Sequence, residues 1–514
     1  MVRLFYNLLS QMKKICLHIF IFLFLFSPSI LPQDSIRILK FDYVEKKLPF
    51  GLTKKIPAQK PVVGLALSGG GARGLAQIGV LKVFDEYNIP IDLIVGTSMG
   101  SIVGGLYSSG YEVDELDSIA KTIAWEDLLT VGKKTDRRSL FVDQKISEDK
   151  AVFTLRLDGF KPVLPTSIND GQKFANYLNL LVLQAPTKVE DSFDDIEIKF
   201  RAVSTNLETG EPAIISRGSL SQAMRASSSV TFFLTPVKID SLLLVDGGLV
   251  ANIPAKITKE LGAEFVVAVN TTSQLNNREQ LELPWFVADQ IVSIPMRLLN
   301  ENQLQYADFV IEPEFQNQIS TDFTEIDSII LIGYNEAKKN IKYLKHQLDS
   351  IFISRLQENN FYLNNIAIDT AKNIGREFLK KYLTKDSVAS SEILFDLHKI
   401  NQEGYFNNLR AVIINRNGNN FISFDYDEPF LIKEIEVENI TLLAEVEIQN
   451  IFQNLEGTPY SGEKVLSAIK KLLLQYRKNG FSLAELKEVK FDEASGVLRL
   501  RINEGKIEIG RAHV

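Results

Sequence analysis

From Pro61 onward the chain alternates short, unbroken apolar runs with segments whose apolar residues recur at helical spacing. The runs are Val62–Leu67, Ile91–Val95, Lys199–Ser204, Ser241–Val245 and Glu264–Val269, and a further one lies at Ala307–Glu314. Helical stretches fall between most of them, for example Ala76–Tyr87 and Ser101–Ser109, and a helix over Ile329–His346 is expected to close the region. A strand with no polar face must be covered on both sides. The alternation therefore predicts an α/β domain over residues 61–350, with a mainly parallel sheet between two helical layers.

The rest of the chain changes texture and repeats. A strand is expected at Asn364–Lys372, then helical segments to Gly404-Tyr405-Phe406, then strands at Arg410–Asn415 and Asn420–Tyr426. The same order returns with Lys433–Ile440, helical stretches to Gly480-Phe481, and strands at Glu488–Phe491 and Val497–Ile502. Two copies of about 70 residues, each β-α-α-β-β and each turning from helix to strand at a Gly-aromatic pair, read as two small α+β modules. This unit resembles the POTRA domain, over residues 363–428 and 431–505. The resemblance implies protein contacts, with client strands added at a sheet edge. Residues 30–60 are mixed and Lys-rich without a clear period, and read as a lead-in segment.

At the amino terminus, Arg3, Lys13 and Lys14 precede an apolar run, Ile15–Phe26, that ends at Ser27-Pro28-Ser29. That is the pattern of a secretory signal peptide over residues 1–29, and the run is too short for a bilayer-spanning helix of about 20 residues. The chain is therefore expected to be exported.

Net charge of −7 and a pI near 5.5 argue against a generally basic nucleic-acid binder. The one cysteine, Cys16, lies inside the signal segment, which excludes a disulfide scaffold and a Cys-rich zinc module. No metal or cofactor is expected. The four histidines are His18, His346, His398 and His513, and none lies between His18 and His346.

That scarcity constrains the chemistry. Val62–Leu67 runs into Ser68-Gly69-Gly70-Gly71-Ala72-Arg73-Gly74 ahead of a helix. Unshielded N–H groups before a helix N-terminus suit an anion. Alone, the loop fits a dinucleotide fingerprint with Asp92 near the expected acidic position, or a structural turn. The next strand leads into Gly96-Thr97-Ser98-Met99-Gly100, a G-x-S-x-G between strand and helix, which is the setting of a nucleophile elbow. Ser98 would be the nucleophile, and Gly69, Gly70, Gly71, Arg73 and Gly74 would form or hold an oxyanion hole. Arg73 suits two roles equally: engaging a lipid phosphate or fixing the loop through a salt bridge. A serine needs a base, and His346 and His398 fall outside the α/β core, so a histidine triad built within that core is not expected. Asp246, at the end of Leu242–Val245 and followed by Gly247 and Gly248, is the candidate proton acceptor.

Together these three motifs resemble the patatin-like phospholipase family over residues 61–313, including Arg225-Ala226-Ser227-Ser228-Ser229 and Phe233–Val237. The resemblance implies a three-layer α/β/α fold and a Ser98–Asp246 dyad that hydrolyses lipid or phospholipid esters at a membrane surface. Gly248 departs from the alanine of many members. The alternative is an outer-membrane translocation or assembly component in which the POTRA-like modules carry the main function; a nucleotide-binding enzyme using only the glycine loop is a third reading. The subset of these hydrolases that carries such modules continues into an outer-membrane barrel. The last six residues, Ile509–Val514, read as a translated sequencing adapter. The natural protein is therefore expected to be longer and to sit in the outer membrane, with the present chain in the periplasm or at the cell surface.

Overall fold

The computed structural model describes residues 35–129, 156–158, 161–163, 169–231, 233–272, 278, 284–316, 318–368, 380–401 and 406–505. The expected signal peptide and the adapter-like tail lie outside them. The chain divides into two compact units, one of residues up to Phe41 with Leu356–Glu428, the other of Asp42–Arg355 with the chain from Pro429.

The larger unit is built on strands β1 (Val63–Leu67), β2 (Leu93–Thr97), β3 (Lys199–Asn206), β4 (Pro212–Ile215), β5 (Val237–Ile239), β6 (Leu242–Asp246), β7 (Phe265–Val269) and β8 (Phe309–Ile311). They form one eight-stranded sheet in the order β5-β6-β3-β2-β1-β7-β8, with β4 paired to β3. The path β3-β2-β1-β7-β8 is parallel throughout, while β4, β5 and β6 pair antiparallel. Every residue of β1, β2 and β7 is buried.

Alternate side chains of these strands feed two different cores. Val63, Leu65, Leu67, Ile94, Val267 and Val269 pack with helices α1 (Ala76–Glu86), α2 (Met99–Ser108), α3 (Leu220–Ser227) and, toward the carboxyl end, α6 (Ile326–Leu356). Ala66, Val266 and Ala268 meet Ile253 and Ala255 on the opposite side, where Leu93, Val95 and Val203 meet Ala251 and Ile257. The period of two along each strand thus makes the three layers. Between α3 and α6 lie α4 (Gly248–Ala251) and α5 (Pro284–Leu304). Helix α6 runs ten residues past the expected His346, because apolar residues down to Leu356 keep finding core contacts.

The second repeated unit also belongs to the larger unit. Its strands Glu434–Glu438, Glu485–Asp492 and Val497–Asn503 enclose helices Glu445–Phe452 and α7 (Gly462–Lys478), so the order is β-α-α-β-β. The first strand pairs parallel with the last, which pairs antiparallel with the middle one. In the smaller unit, Ile366–Ile368, Asn407–Arg416 and Asn419–Asp427 pair in the same sense. Of the strand expected at Asn364–Lys372, residues 369–372 lie outside the described residues; the rest is Ile366–Ile368, set off from a separate strand Tyr362–Asn364 by Asn365 with φ of 50°.

The lead-in is more ordered than its composition indicates. Tyr43–Lys47 and Thr53–Pro57 form an antiparallel hairpin in the larger unit. Ser35–Lys40 pairs antiparallel with Arg410–Asn415 in the smaller one. Most residues of the latter strand are exposed, so it is held by backbone pairing with a distant partner, which leaves no local apolar period to read.

Helices α1 and α6 touch backbone to backbone. A Cβ on Gly79 would sit 2.0 Å from the Ile330 carbonyl oxygen, and one on Gly333 would sit 1.9 Å from that of Ala76. Neither neighbour is a side chain that can turn away. Gly79→Ala should therefore destabilise the domain by about 1–3 kcal/mol through overpacking. A urea-unfolding midpoint equal to wild type would show that the two helices can separate freely.

Candidate active site

The site forms where two strand ends meet on β3. Thr97, the last residue of β2, pairs with Val203, and Asp246, the last residue of β6, pairs with Ser204. Adjacent positions on one strand thus carry the chain into Ser98 and into Asp246. The antiparallel course of β6 makes this possible.

Ser98 has φ 51° and ψ −122°, a backbone state that a residue with a side chain seldom adopts. Its neighbours leave little choice. A Cβ on Gly96 would lie 2.4 Å from the Gly100 carbonyl oxygen, and one on Gly100 would lie 2.4 Å from that of Leu67. The Ser98 N–H donates to Ser227 Oγ at 3.0 Å, and that hydroxyl donates onward to the Val203 carbonyl at 2.5 Å. The Ser98 carbonyl accepts from the Ser101 N–H at 2.9 Å and from its hydroxyl at 2.7 Å.

Asp246 Oδ1 accepts the Gly248 N–H at 2.7 Å, and the Ser98 side chain lies near enough to favour the charged form of the carboxylate. Desolvation raises the pKa of this carboxyl to about 6, against the partial opposition of those two groups. The Asp246 backbone is fixed by its N–H to the Ser229 carbonyl at 2.9 Å and by Thr205 Oγ1 donating to its carbonyl at 2.7 Å. Gly247 must be small, because a Cβ there would lie 2.2 Å from the Val203 oxygen. At Gly248 a Cβ would lie 2.9 Å from Asp246 Oδ1, so alanine there presses on the carboxylate itself and is not the neutral exchange its size suggests.

The glycine loop covers this pair. A Cβ on Gly69 would come within 3.1 Å of Ser98 Cβ, and one on Gly74 within 2.6 Å of Met99 Cβ. The five candidate donors are not equivalent. The Gly69 N–H donates to the Asn252 carbonyl at 3.0 Å, so it is already engaged. Gly70 caps and Gly71 opens the 3-10 turn Gly71–Leu75, and among the described residues neither N–H has a partner. Gly71 has φ of 56°, and the Ser320 carbonyl lies 2.1 Å from its would-be Cβ. Below the loop, Gln77 donates to the Ser68 carbonyl at 2.7 Å, while Ser68 Oγ accepts the Thr271 N–H at 2.8 Å.

Arg73 is 8% exposed, and its guanidinium lies over the Phe315 ring at 4.4 Å. No carboxylate pairs with it among the described residues, and burial lowers its pKa. The salt-bridge role thus lacks a partner there. Asp92 is committed elsewhere, accepting from Lys46 Nζ at 2.9 Å and from the Val63 N–H at 3.0 Å. It sits before β2 rather than after a strand, which removes the acidic residue that a dinucleotide reading needs. His346 lies on α6 with Ser350 as its neighbour. Ser227 and Asn252 are the functional contacts that sequence reasoning did not assign. Ser227 was one of three consecutive serines, and Asn252 acts through its backbone carbonyl, for which side-chain chemistry gives no signal.

Residues 65–259 match the patatin-like phospholipase family model, and residues 430–505 match the POTRA domain, ShlB-type. The chain thus carries a patatin-like phospholipase domain followed by a POTRA domain. A lysophospholipase NTE1 of Scheffersomyces stipitis is 28% identical over 302 residues, covering 54% of this chain and 18% of the relative. A patatin-like phospholipase domain-containing protein of Caenorhabditis elegans is 31% identical over 252 residues, covering 47% and 16%. The chain therefore spans less than a fifth of the length of these curated relatives. Among solved structures, VipD from Legionella pneumophila aligns over 61% of this chain and 71% of its own, at 16% identity and a TM-score of 0.29. The N-terminal domain of Omp85 from Thermosynechococcus elongatus aligns over 29% and 66%, at 19% identity and a TM-score of 0.23.

The raised pKa of Asp246 has a stability consequence. Between the ordinary aspartate value of 3.8 and about 6, the folded protein holds a proton that the unfolded chain releases. Stability therefore falls as pH rises through that window. Asp246→Asn removes this loss, so its unfolding midpoint should gain on wild type between pH 4 and pH 7, by thermal melts in matched buffers. Parallel pH profiles for the two proteins would mean that the carboxylate is not desolvated.

Proposed function

We propose that this chain is a serine lipid acyl hydrolase, of phospholipase A or lysophospholipase type, acting through Ser98 and Asp246 in lipid breakdown. The observation that carries this reading is the convergence, on adjacent positions of β3, of Ser98 at a strained strand-to-helix turn and of the desolvated Asp246 carboxylate. Asp246 takes the hydroxyl proton as Ser98 Oγ attacks the ester carbonyl carbon. The carbonyl oxygen becomes an oxyanion beside the unengaged N–H groups of Gly70 and Gly71, at the amino end of the turn leading into α1. Collapse of that intermediate expels the lipid alcohol, which takes the proton from Asp246. Water then attacks the acyl-Ser98 ester, again giving its proton to Asp246; the bond to Ser98 Oγ breaks, Ser98 recovers the proton from Asp246, and the fatty acid leaves.

Arg73, without a carboxylate partner among the described residues, supports the oxyanion loop by stacking on Phe315 and is suited to attract a phosphate-bearing lipid. The POTRA domain supports a setting at the periplasmic side of an outer membrane, with protein contacts made through its sheet edges.

Ser98→Ala and Asp246→Asn should each reduce release of fatty acid from phospholipid and lysophospholipid to background, and the double variant should be no worse than either single one. Wild-type kcat/KM should fall about tenfold per pH unit below about pH 6, as Asp246 takes up its proton. An Asp246→Asn variant that keeps near-normal turnover would move the proton acceptor to another group.

A further inference from the structure

Three separate segments bordering the candidate site end in exposed apolar side chains. On α5, Val287, Ile291, Ile294 and Leu298 recur every three or four residues and are exposed at 41%, 66%, 49% and 61%. They form one stripe on the outer side of the helix. The inner side rests on α4, where Met296 Cε lies 3.3 Å from the position of a Cβ on Gly248. Val230, exposed, directly follows Ser229, whose carbonyl holds the Asp246 N–H. Ile319, also exposed, directly precedes Ser320, whose carbonyl accepts the Ala72 N–H and touches Gly71.

We propose that α5, with Val230 and Ile319, forms a lipid-docking rim that seats the mouth of the site on a phospholipid bilayer. This deepens the lipid-hydrolase reading and rests on it. Single exposed apolar residues are ordinary on any surface. These differ in being gathered, on three segments distant in sequence, within one residue of groups that hold Asp246 or the glycine loop, or on the helix packed against Gly248. The occupant follows from charge and reach. Arg297 and Glu301 on α5 pair with each other at 3.5 Å and Asp289 is the one other charged residue in the helix sequence, so α5 carries no cluster of like charges for an acidic or basic protein partner. Among the described residues no helix is long and apolar enough to cross a membrane. An apolar stripe of that kind lies along the interface, at the boundary of headgroups and acyl chains. The scissile ester of a phospholipid occupies that same depth, so docking there shortens its path to Ser98.

The test separates docking from catalysis. Ser98→Ala protein should co-sediment with phosphatidylcholine vesicles, and adding Ile291→Asp and Leu298→Asp should lower the bound fraction at least about tenfold. With Ser98 intact, the double aspartate variant should lose vesicle hydrolysis to a similar degree, while turnover of the soluble ester p-nitrophenyl acetate stays within about twofold of wild type. A single Leu298→Trp replacement should add an emission component that shifts to the blue when vesicles are added. Unchanged vesicle binding by the aspartate variant overturns the proposal, as does an emission component that ignores vesicles. Conversion of a dimer to a monomer with vesicle binding intact also overturns it, and assigns the face to a second copy of the chain. If wild type cleaves neither substrate yet binds vesicles through these residues, the docking rim stands and the hydrolase reading fails.

Discussion

Ser98 is held at φ 51° and ψ −122°, a state that costs on the order of 1–3 kcal/mol, and the packing around it is organised to keep it there. Two glycines close the turn because their neighbours' carbonyl oxygens stand where side chains would be. Ser227 then holds the Ser98 N–H while its own hydroxyl is anchored on Val203 of β3. The same strand, one residue on, receives Asp246. A displacement of β3 would therefore disturb the serine, its hydrogen-bonded pin and the carboxylate together. Strain at a reactive residue persists only where the surroundings over-determine it, and here one central strand supplies most of that determination.

An antiparallel strand in a mainly parallel sheet has a specific role in this arrangement. In a wholly parallel sheet, strand ends line up along one edge, about 5 Å apart between neighbours. Here β6 runs against β3 and ends at Ser204, next to the position where β2 ends at Val203. The two chain ends approach each other along β3, which brings the Asp246 carboxylate near enough to the Ser98 side chain for that side chain to favour its charged form. A two-residue constellation demands this closeness, because nothing else spans the gap between acceptor and hydroxyl.

The parts legible in the sequence were those with strong local signals. Six mainly apolar runs marked six strands of the central sheet, and the G-x-S-x-G and Asp-Gly-Gly motifs marked residues that the fold brings together. Strands β4 and β5 escaped because they are short and partly exposed at the antiparallel side of the sheet, where apolar runs break up. Ser35–Lys40 escaped because its partner lies in Asn407–Arg416, and pairing between exposed backbones leaves no trace in side-chain periodicity. The engagement of the Gly69 N–H by Asn252 was likewise invisible, since a motif shows which groups a loop contains and not which of them other segments have already used.

That distinction bears on how the glycine loop has to be understood. A Cβ on Gly70 would meet the Thr271 carbonyl at 2.5 Å, and one on Gly71 the Ser320 carbonyl at 2.1 Å. Alanine at either position shifts the loop before it touches any donor, so loss of turnover from such a change would report displacement and not the worth of one N–H. The glycines answer two demands at once. They let Thr271 and Ser320 close over the loop, and they leave the N–H groups of Gly70 and Gly71 without a partner among the described residues. Exclusion of water raises the carboxyl to about 6, so it is a stronger proton acceptor than an ordinary aspartate yet still ionised at neutral pH. The same exclusion strengthens a hydrogen bond from a bare N–H to a developing oxyanion. In the proposed mechanism, burial of the site thus serves the base and the oxyanion together.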